Sequence, residues 1–281
     1  MKRMCLIVLV LVMFVLEADA QLAHATPSTE FWTPATIDVQ PFNVWHLGID
    51  NYFTIGRGAG SQIGTGAFAT DVGLTVGVLP FSKLNLEVGL DMLQPIDSMV
   101  CAGGLQNGAV IAHCGDVGSS ILGNFKFGIP EGALFDGSPG IAAGMFNIGG
   151  VNEVTNMDIG DFIIGKTIPV VGRVHVGGYL GNSNSALLHE GGDLANARKN
   201  MGFMAAYDRG FLPVKDKEGN EYNKLSLGAD YASGKNLIGG YGVGVAYYFT
   251  KDVSVLTGPV IFNDQDINGR WKWSTQLDIN F

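Results

Sequence analysis

The sequence predicts an all-β protein, a single antiparallel β-barrel of about twelve strands that crosses a membrane with its apolar face outward. Three observations lead to this prediction. The chain begins with the pattern of an export signal, and its later apolar residues alternate with polar ones over segments of about ten residues. After the export signal, no apolar run approaches the roughly 20 residues that a membrane-spanning helix needs. An exported chain of this kind can enter a membrane only as β structure.

The first 25 residues have the three parts of a secretory signal peptide. Two positive charges in MKRM precede the apolar run CLIVLVLVMFVL, and the segments EADA and QLAHA then place small residues where a signal peptidase cleaves. We therefore expect cleavage after Ala20 or Ala25. A retained membrane anchor is the alternative. Cys5 lies within the apolar run without the small-residue cleavage site of a lipoprotein before it.

The composition narrows the possible partners. Only 15% of the residues are charged and the net charge is −9, which argues against an electrostatic hold on nucleic acid. Two cysteines, Cys101 and Cys114, remain after cleavage. In an exported chain such an even pair predicts a disulfide that closes one loop, with two free thiols as the alternative.

The clearest strands form a hairpin at residues 68–93, FATDVGLTVGVLPFSKLNLEVGLDML. Each arm alternates over about ten residues, which is longer than the typical five or six of globular strands and about what crosses a bilayer when tilted. Five further segments repeat the pattern: NVWHLGIDNYF, ILGNFKFGI, GRVHVGGYL, NKLSLGADY and YGVGVAYYF. Four segments with apolar residues on both faces (140–148, 159–168, 200–208 and 253–262) and the C-terminal RWKWSTQLDINF complete the twelve.

The connections between these strands alternate in length. One set is compact, as in LPFSK, IPVVG and TKD, whereas the other is longer and rich in Gly, Asn and Ser. Short turns at one rim and long loops at the other are typical of membrane-spanning barrels. Residues 208–223 depart from this alternation, and we interpret them as two long strands around a KEGN turn.

Alternation by itself leaves open which face of the sheet meets the core. A soluble secreted sandwich or propeller also alternates, with its apolar face inward. The long strands, the many glycines on the polar faces, the export signal and the aromatic C-terminal residue favour an outward apolar face. At membrane depth every backbone polar group needs a partner, so the sheet must close into a barrel. We expect two aromatic girdles at the rims, formed by Tyr52, Phe53, Trp271 and Trp273 and by Phe81, Phe249 and Phe281.

The last strand carries a family resemblance. Apolar or aromatic residues and one threonine occupy every second position up to the C-terminus, namely Trp273, Thr275, Leu277, Ile279 and Phe281. This ending resembles the assembly signal of Gram-negative outer-membrane β-barrel proteins, although no specific porin is matched. The resemblance implies recognition by the barrel-assembly machinery and a location among the lipids of the cell outer membrane. Residues 26–35 would then be a short periplasmic leader and residues 36–281 the barrel, with its short turns in the periplasm and its long loops outside the cell.

The polar faces of the strands would line the lumen of such a barrel. The candidate pore-lining residues are His46, Asp50, Asp71, Glu87, Asp91, Lys126, Arg173, His175, Lys224, Asp230, Lys272 and Asp278. Asp161 and Lys166 have an ambiguous register and cannot both face inward. Six carboxylates against four fixed positive charges predict a porin-like channel for passive diffusion of small hydrophilic solutes, with weak cation preference. The alternatives are charges that pair and plug the lumen, or a closed barrel whose long loops bind a partner or a surface glycan.

Catalysis and cofactors have little support in the sequence. No serine lies beside His46 or His175, and both histidines are expected to face the lumen. The isolated His189 and the AHC segment at 112–114 match no zinc spacing. The Gly-rich segment 56–66 is followed by no amphipathic helix and so lacks the context of a dinucleotide site. We expect neither an enzyme nor a bound cofactor or metal. The identity of the solute and the oligomeric state stay open.

Overall fold

The computed structural model describes residues 31–56, 70–94, 121–153 and 155–281. These residues form one closed barrel of twelve strands, in which each strand pairs antiparallel with its neighbours in sequence and β1 pairs with β12. The predicted fold class is therefore confirmed. The strands are β1 (Trp45–Gly56), β2 (Thr70–Gly77), β3 (Asn85–Gln94), β4 (Ile121–Ile129), β5 (Gly140–Ile148), β6 (Ile159–Ile168), β7 (Gly172–Leu180), β8 (Met201–Lys215), β9 (Glu221–Ala232), β10 (Gly240–Thr250), β11 (Val253–Phe262) and β12 (Trp271–Asn280).

The period-two pattern separates an interior face from an apolar outer face. On β12 the residues Lys272, Ser274 and Gln276 are completely buried inside the barrel, whereas Trp273 between them is 40% exposed. The same alternation exposes a large apolar residue at outward positions all around the barrel. Examples are Phe53, Leu90, Phe127, Phe162, Val176, Phe203, Leu227, Val243 and Phe249. Tyr52, which we expected in an outer aromatic girdle, points inward and is buried. It lies two residues after Asp50 on β1, so the two side chains are on the same, inward face of the strand.

The two rims of the barrel differ as predicted. Short connections at one rim join β2 to β3, β4 to β5, β6 to β7, β8 to β9 and β10 to β11. Residues 208–223 belong to the long strands β8 and β9, which meet at the turn 216–220. No helix in the described ranges is long and apolar enough to span a membrane. The cysteines Cys101 and Cys114, and both expected cleavage sites at Ala20 and Ala25, lie outside the described residues.

A segment that we call the strap, residues 31–44, runs through the interior of the barrel. We expected residues 26–35 to form a leader outside the barrel, but the structure places residues 31–35 inside it, where Phe31, Thr33 and Ala35 are at most 2% exposed. The strap begins near the long-loop rim, where Trp32 Nε1 donates a hydrogen bond of 2.9 Å to the Ile238 carbonyl. It leaves at the short-turn rim, where the Asn43 N–H donates to the Gly77 carbonyl at 2.8 Å.

Inward-facing glycines make room for the strap. A Cβ atom added at Gly244 would lie 2.6 Å from the Phe31 ring, and one added at Gly128 would lie 2.5 Å from Val39 Cγ2. Both distances are shorter than normal van der Waals contact, so larger side chains at these positions would displace the strap. The glycines on the polar faces of the strands therefore have a packing role.

Loops at the long-loop rim cover one side of the barrel. Two short 3₁₀ turns, Ala186–Leu188 and Glu190–Gly192, pack beside a short helix, α1 (Gln265–Asn268). Their buried apolar residues continue into an interior cluster that runs along β6 to β11 and also includes Tyr52 on β1, Leu93 on β3 and Leu122 on β4. Members of this cluster are Ile159, Ile163, Leu187, Leu188, Met204, Leu237, Val260, Phe262 and Ile267, and Trp32 of the strap packs against it.

Candidate functional site

One carboxylate, that of Asp230, holds the end of the strap near the long-loop rim. Asp230 on β9 accepts hydrogen bonds from three successive backbone N–H groups, those of Phe31 (2.5 Å), Trp32 (3.1 Å) and Thr33 (3.2 Å). Gln276 on β12 adds a bond from Nε2 to the Phe31 carbonyl at 3.1 Å. Hydrogen bonds to a charged acceptor contribute about 1.5–3 kcal/mol each. Asp230 was a candidate pore-lining residue, and its carboxylate is occupied by the strap.

A buried ion pair holds the middle of the strap. Arg173 on β7 makes a bidentate contact with Asp38 of the strap, with Nη1–Oδ1 at 2.7 Å and Nη2–Oδ2 at 2.8 Å. Its Nε also donates to Asp208 on β8 at 2.9 Å. His175, completely buried, accepts the Ile37 N–H at Nδ1 and places Nε2 3.3 Å from Asp208. The guanidinium charge of Arg173 is therefore neutralised within the wall and the strap.

The part of the strap near the short-turn rim contacts Glu87, another predicted pore-lining residue. Glu87 on β3, only 3% exposed, accepts the Gln40 N–H at 2.7 Å. The Gln40 side chain reaches Asn280 on β12 at 3.4 Å, and Asn280 also lies 3.1 Å from His46 Nδ1. The strap thus contacts strands on opposite sides of the barrel through polar groups.

A cavity of about 200 Å³ remains beside the strap, against β1 to β6. It exists because several inward positions there carry no side chain or a small one. Gly48, Gly73 and Thr75 line it, and Trp32 and Pro34 of the strap form its inner wall. The volume is below the roughly 300–1,000 Å³ typical of pockets for drug-sized ligands, so it suits a smaller occupant.

Acidic residues dominate the charges around this cavity. Five carboxylates line it, and the fixed positive charge that lines it is Lys126. The carboxylates are Asp50, Asp71, Glu87, Asp91 and Asp161. Asp50 and Asp71 are directly opposite each other on β1 and β2, and Asp91 on β3 receives a hydrogen bond of 2.6 Å from Asn124 Nδ2. Carboxylates on adjacent strands repel one another, which favours a positively charged occupant.

The remaining candidate pore residues lie away from the cavity or at its edge. His46 lines the cavity, and its Nε2 is 3.5 Å from Asp278 Oδ1. Lys272 is completely buried, with Nζ 5.8 Å from the centre of the Phe262 ring. Lys224 is near the short-turn rim, and its Nζ lies 5.9 Å from the ring of Tyr247, an outward-facing residue.

The structure also gives the positions of the alternating C-terminal residues and of Asp161 and Lys166 on β6. The residues of the C-terminal pattern, Trp273, Thr275, Leu277, Ile279 and Phe281, alternate with the buried residues of β12, and Phe281 is 65% exposed. The ambiguous pair on β6 is resolved. Asp161 lines the cavity, and Lys166 points outward, where it forms an ion pair of 2.7 Å with Glu131.

Sequence reasoning missed the groups that the strap contributes. Asp38 and Trp32 precede the first strand and have no periodic pattern that would predict an interior position. Asn124 and Gln276 lie on the predicted inward faces, so alternation could have identified them. The predicted pore-lining set contains only charged residues and histidines, so it leaves these two amides out.

The histidines in the described ranges contact carboxylates, an amide and backbone groups. Ser254 Oγ donates to Asp278 at 3.3 Å, and Asp278 is the residue that contacts His46, so the serine reaches the carboxylate and not the imidazole. His189 Nδ1 lies 2.9 Å from the Ser185 carbonyl. Nucleophilic catalysis needs a direct hydrogen bond between the serine and the base. Within the described ranges, no group of three or more His, Cys, Asp or Glu side chains is arranged to hold a metal ion.

Comparisons with known proteins give structural similarities only. No protein-family model matches the sequence, and no curated protein matches it. An outer membrane channel from Pseudomonas putida F1 is similar with a TM-score of 0.43 and 10% identity, over 89% of this chain and 99% of that chain. Outer membrane phospholipase A from Escherichia coli, as an active-site mutant, is similar with a TM-score of 0.40 and 12% identity, over 95% of this chain and 96% of that chain. A mutant of the Rh. blastica porin is similar with a TM-score of 0.37 and 14% identity, over 84% of this chain and 73% of that chain.

Proposed function

We propose that this protein is an outer-membrane channel through which small hydrophilic solutes diffuse passively, with a preference for cations. The observation that carries the proposal is the interior cavity, lined by five carboxylates and by Lys126 as its fixed positive charge. Charged walls in a narrow, low-dielectric passage select solutes by sign. A catalytic role has no comparable support, because His46, His175 and His189 contact carboxylates, an amide and backbone groups.

The outer surface of the barrel supports a place in the membrane. Large apolar side chains, many of them 40–60% exposed, lie at outward positions around the barrel. A soluble monomer rarely exposes so extensive an apolar surface. Lipid would cover it, and closure of the barrel satisfies the backbone hydrogen bonds that lipid cannot.

Export and assembly are part of the same proposal. Residues 1–25 would act as a cleaved signal peptide, and the C-terminal strand would be recognised by the barrel-assembly machinery. N-terminal sequencing of protein extracted from membranes checks the first point, with cleavage expected after Ala20 or Ala25. Mature protein that still begins at Met1 would contradict export by this route.

The proposed cation preference is stronger than the sequence alone suggested. Arg173 is neutralised by Asp38 and Asp208, Lys272 is buried against Phe262, and Lys126 lies among carboxylates. The cavity is therefore lined by five carboxylates and one fixed positive charge, a larger negative excess than the six against four counted over all inward faces. The Debye length is about 8 Å at physiological ionic strength, so a narrow passage senses these charges and the preference should fall as salt rises.

Single-channel recording in a planar bilayer tests the proposal. Refolded barrel under a KCl gradient should give a reversal potential that indicates cation preference. Changing Asp50, Asp71 and Asp91 together to Asn should shift that potential toward anions, because lumen positions tune selectivity more than stability. An unchanged reversal potential would show that these carboxylates do not face the conducting path.

A matched control uses carboxylates away from the lumen. Asp136 and Asp252, which lie in the short connections after β4 and β10, should leave the reversal potential unchanged when both are replaced by Asn. Complete absence of conductance in the wild type would refute the channel.

A closed interaction barrel is the second candidate, and one observation favours it. The strap crosses the lumen, the apolar cluster occupies much of it near the long-loop rim, and packed loops cover part of that rim. In this alternative the long loops would bind a partner or a surface glycan. Its signature would be a stably folded barrel without conductance.

A further inference from the structure

Lys126 is a buried cation that faces the cavity and has neither a hydrogen bond nor a close ion pair at Nζ in the part of the chain that the structure describes. Its side chain is 5% exposed, and Nζ makes no hydrogen bond with any described residue. Glu87 and Gly144 are its cross-strand neighbours, and Asp161 lies opposite Gly144 on the next strand. Neither carboxylate forms an ion pair with Nζ within 4.0 Å in the part of the chain that the structure describes. A buried ammonium group without a hydrogen-bond acceptor in direct contact is costly, and an anionic group in the cavity would reduce that cost.

The other carboxylates lie further along the same cavity. Asp71 and Asp91 lie toward the ends of β2 and β3 that lead to the long-loop rim, and Asp50 in the middle of β1 pairs directly with Asp71. Asn124 links the two regions, since it hydrogen-bonds to Asp91 and lies two residues from Lys126 on the same face of β4. Two residues along a strand correspond to roughly 7 Å. The cavity therefore presents a cation and a cluster of anions separated by a short distance.

Apolar and aromatic side chains line the space between and beside these charges. Trp32, Phe146, Leu93 and Ile238 all contribute to the cavity wall. The Trp32 ring is fixed by edge-to-face contacts with Tyr52 at 5.3 Å and Phe262 at 4.7 Å. A wall of this kind suits a short hydrocarbon segment or, next to the carboxylates, an ammonium group over an aromatic ring.

We propose that the cavity binds a small zwitterion, an amino acid or a similar solute whose ammonium and anionic groups are joined by a short apolar chain. The ammonium group would meet Asp50, Asp71 and Asp91, and the anionic group would meet Lys126. A simple anion would be repelled by five carboxylates, and a simple cation would leave Lys126 Nζ without a hydrogen-bond acceptor. This inference rests on the proposed channel function and names the class of solute.

Current block and calorimetry test the proposal with three probes of equal chain length: 5-aminopentanoate, pentylamine and pentanoate. In bilayers that carry a KCl current, 5-aminopentanoate should block at a concentration roughly tenfold or more below either singly charged probe, the effect of one added charge-assisted hydrogen bond. Lys126→Gln should abolish the advantage of 5-aminopentanoate over pentylamine while the KCl current persists. Lys166→Gln, on the outer face, is the matched control and should leave that advantage intact.

The outcomes separate this inference from the channel proposal. If the wild type conducts KCl but binds the zwitterion no more tightly than pentylamine, the channel stands and the zwitterion site is refuted. An unchanged ratio in Lys126→Gln also refutes it. If no current is seen, isothermal titration of the refolded barrel in detergent still compares the three probes. A zwitterion preference that depends on Lys126 would then support the site, and its absence would overturn it.

Discussion

Replacement of Asp38 by Asn should loosen the strap from the barrel wall. Asp38 contributes both carboxylate oxygens to Arg173, at 2.7 and 2.8 Å, and the two side chains are only 13% and 15% exposed. Removal of one partner from a buried ion pair costs about 3–5 kcal/mol. Arg173 keeps its contacts with Asp208, so we expect the lower end of that range, about 3 kcal/mol.

This free energy corresponds to a change of about 100-fold in the population of barrels with a displaced strap, since each 1.4 kcal/mol is a factor of ten. The contacts of Asp230 and Glu87 should still dock the strap in most molecules. The barrel itself should stay folded, because the twelve paired strands do not include Asp38.

Thiol labelling measures the displacement. Thr33 lies within the strap and is 1% exposed, so a cysteine at this position reacts only when the strap moves. The Thr33→Cys variant is made in a background in which Cys101 and Cys114 are replaced by Ser. Asp38→Asn should then raise the labelling rate by up to about 100-fold when opening is faster than labelling.

The control variant is Asp136→Asn, which removes an exposed carboxylate from the connection between β4 and β5 and should leave the labelling rate unchanged. A rate in Asp38→Asn within about threefold of the parent, less than 1 kcal/mol, would refute the role of the ion pair in holding the strap. Such a result would mean that apolar packing and Asp230 suffice.

Three further predictions concern assembly, the loop and a turn. Phe281→Ala keeps the two backbone hydrogen bonds with Trp45 and removes a side chain that is 65% exposed, so the folded barrel should lose at most about 1 kcal/mol of stability. Insertion of this variant into the outer membrane of cells should nevertheless fall. The fall should be larger than for Phe249→Ala, which removes a similarly exposed aromatic ring at the same rim. Cys101 and Cys114 should form a disulfide worth about 3 kcal/mol, and two alkylated thiols in unreduced protein would exclude it. Partial burial raises the pKa of Glu131, but the hydrogen bonds it accepts from β6 outweigh this and hold its pKa below the usual value. The stabilisation it provides should therefore be present at neutral pH and disappear as the pH falls through the lowered pKa. Urea unfolding should show Glu131→Gln less stable than wild type by under about 1 kcal/mol at pH 7 and equal to it in acid.

The sequence by itself determined the strands and their closure. A period of two is a local property of an extended chain, so the inward face of β12, with Lys272 and Gln276, follows from residues next to each other in the chain. The same argument identified eight of the twelve strands, and the other four were predicted from segments with apolar residues on both faces. The outward position of Trp273 follows in the same way.

Only the tertiary structure decided what the inward charges do. The three hydrogen bonds that occupy Asp230 come from residues 197 to 199 positions earlier, and no local pattern encodes such a contact. The same holds for Arg173 with Asp38, 135 positions apart, and for Glu87 with Gln40. Because the strap is irregular, it carries no periodicity that would predict its place inside the barrel. Because the strap crosses the lumen, the inward glycines that face it become packing positions, and the carboxylates that line the remaining cavity are those of β1, β2, β3 and β6, around Lys126.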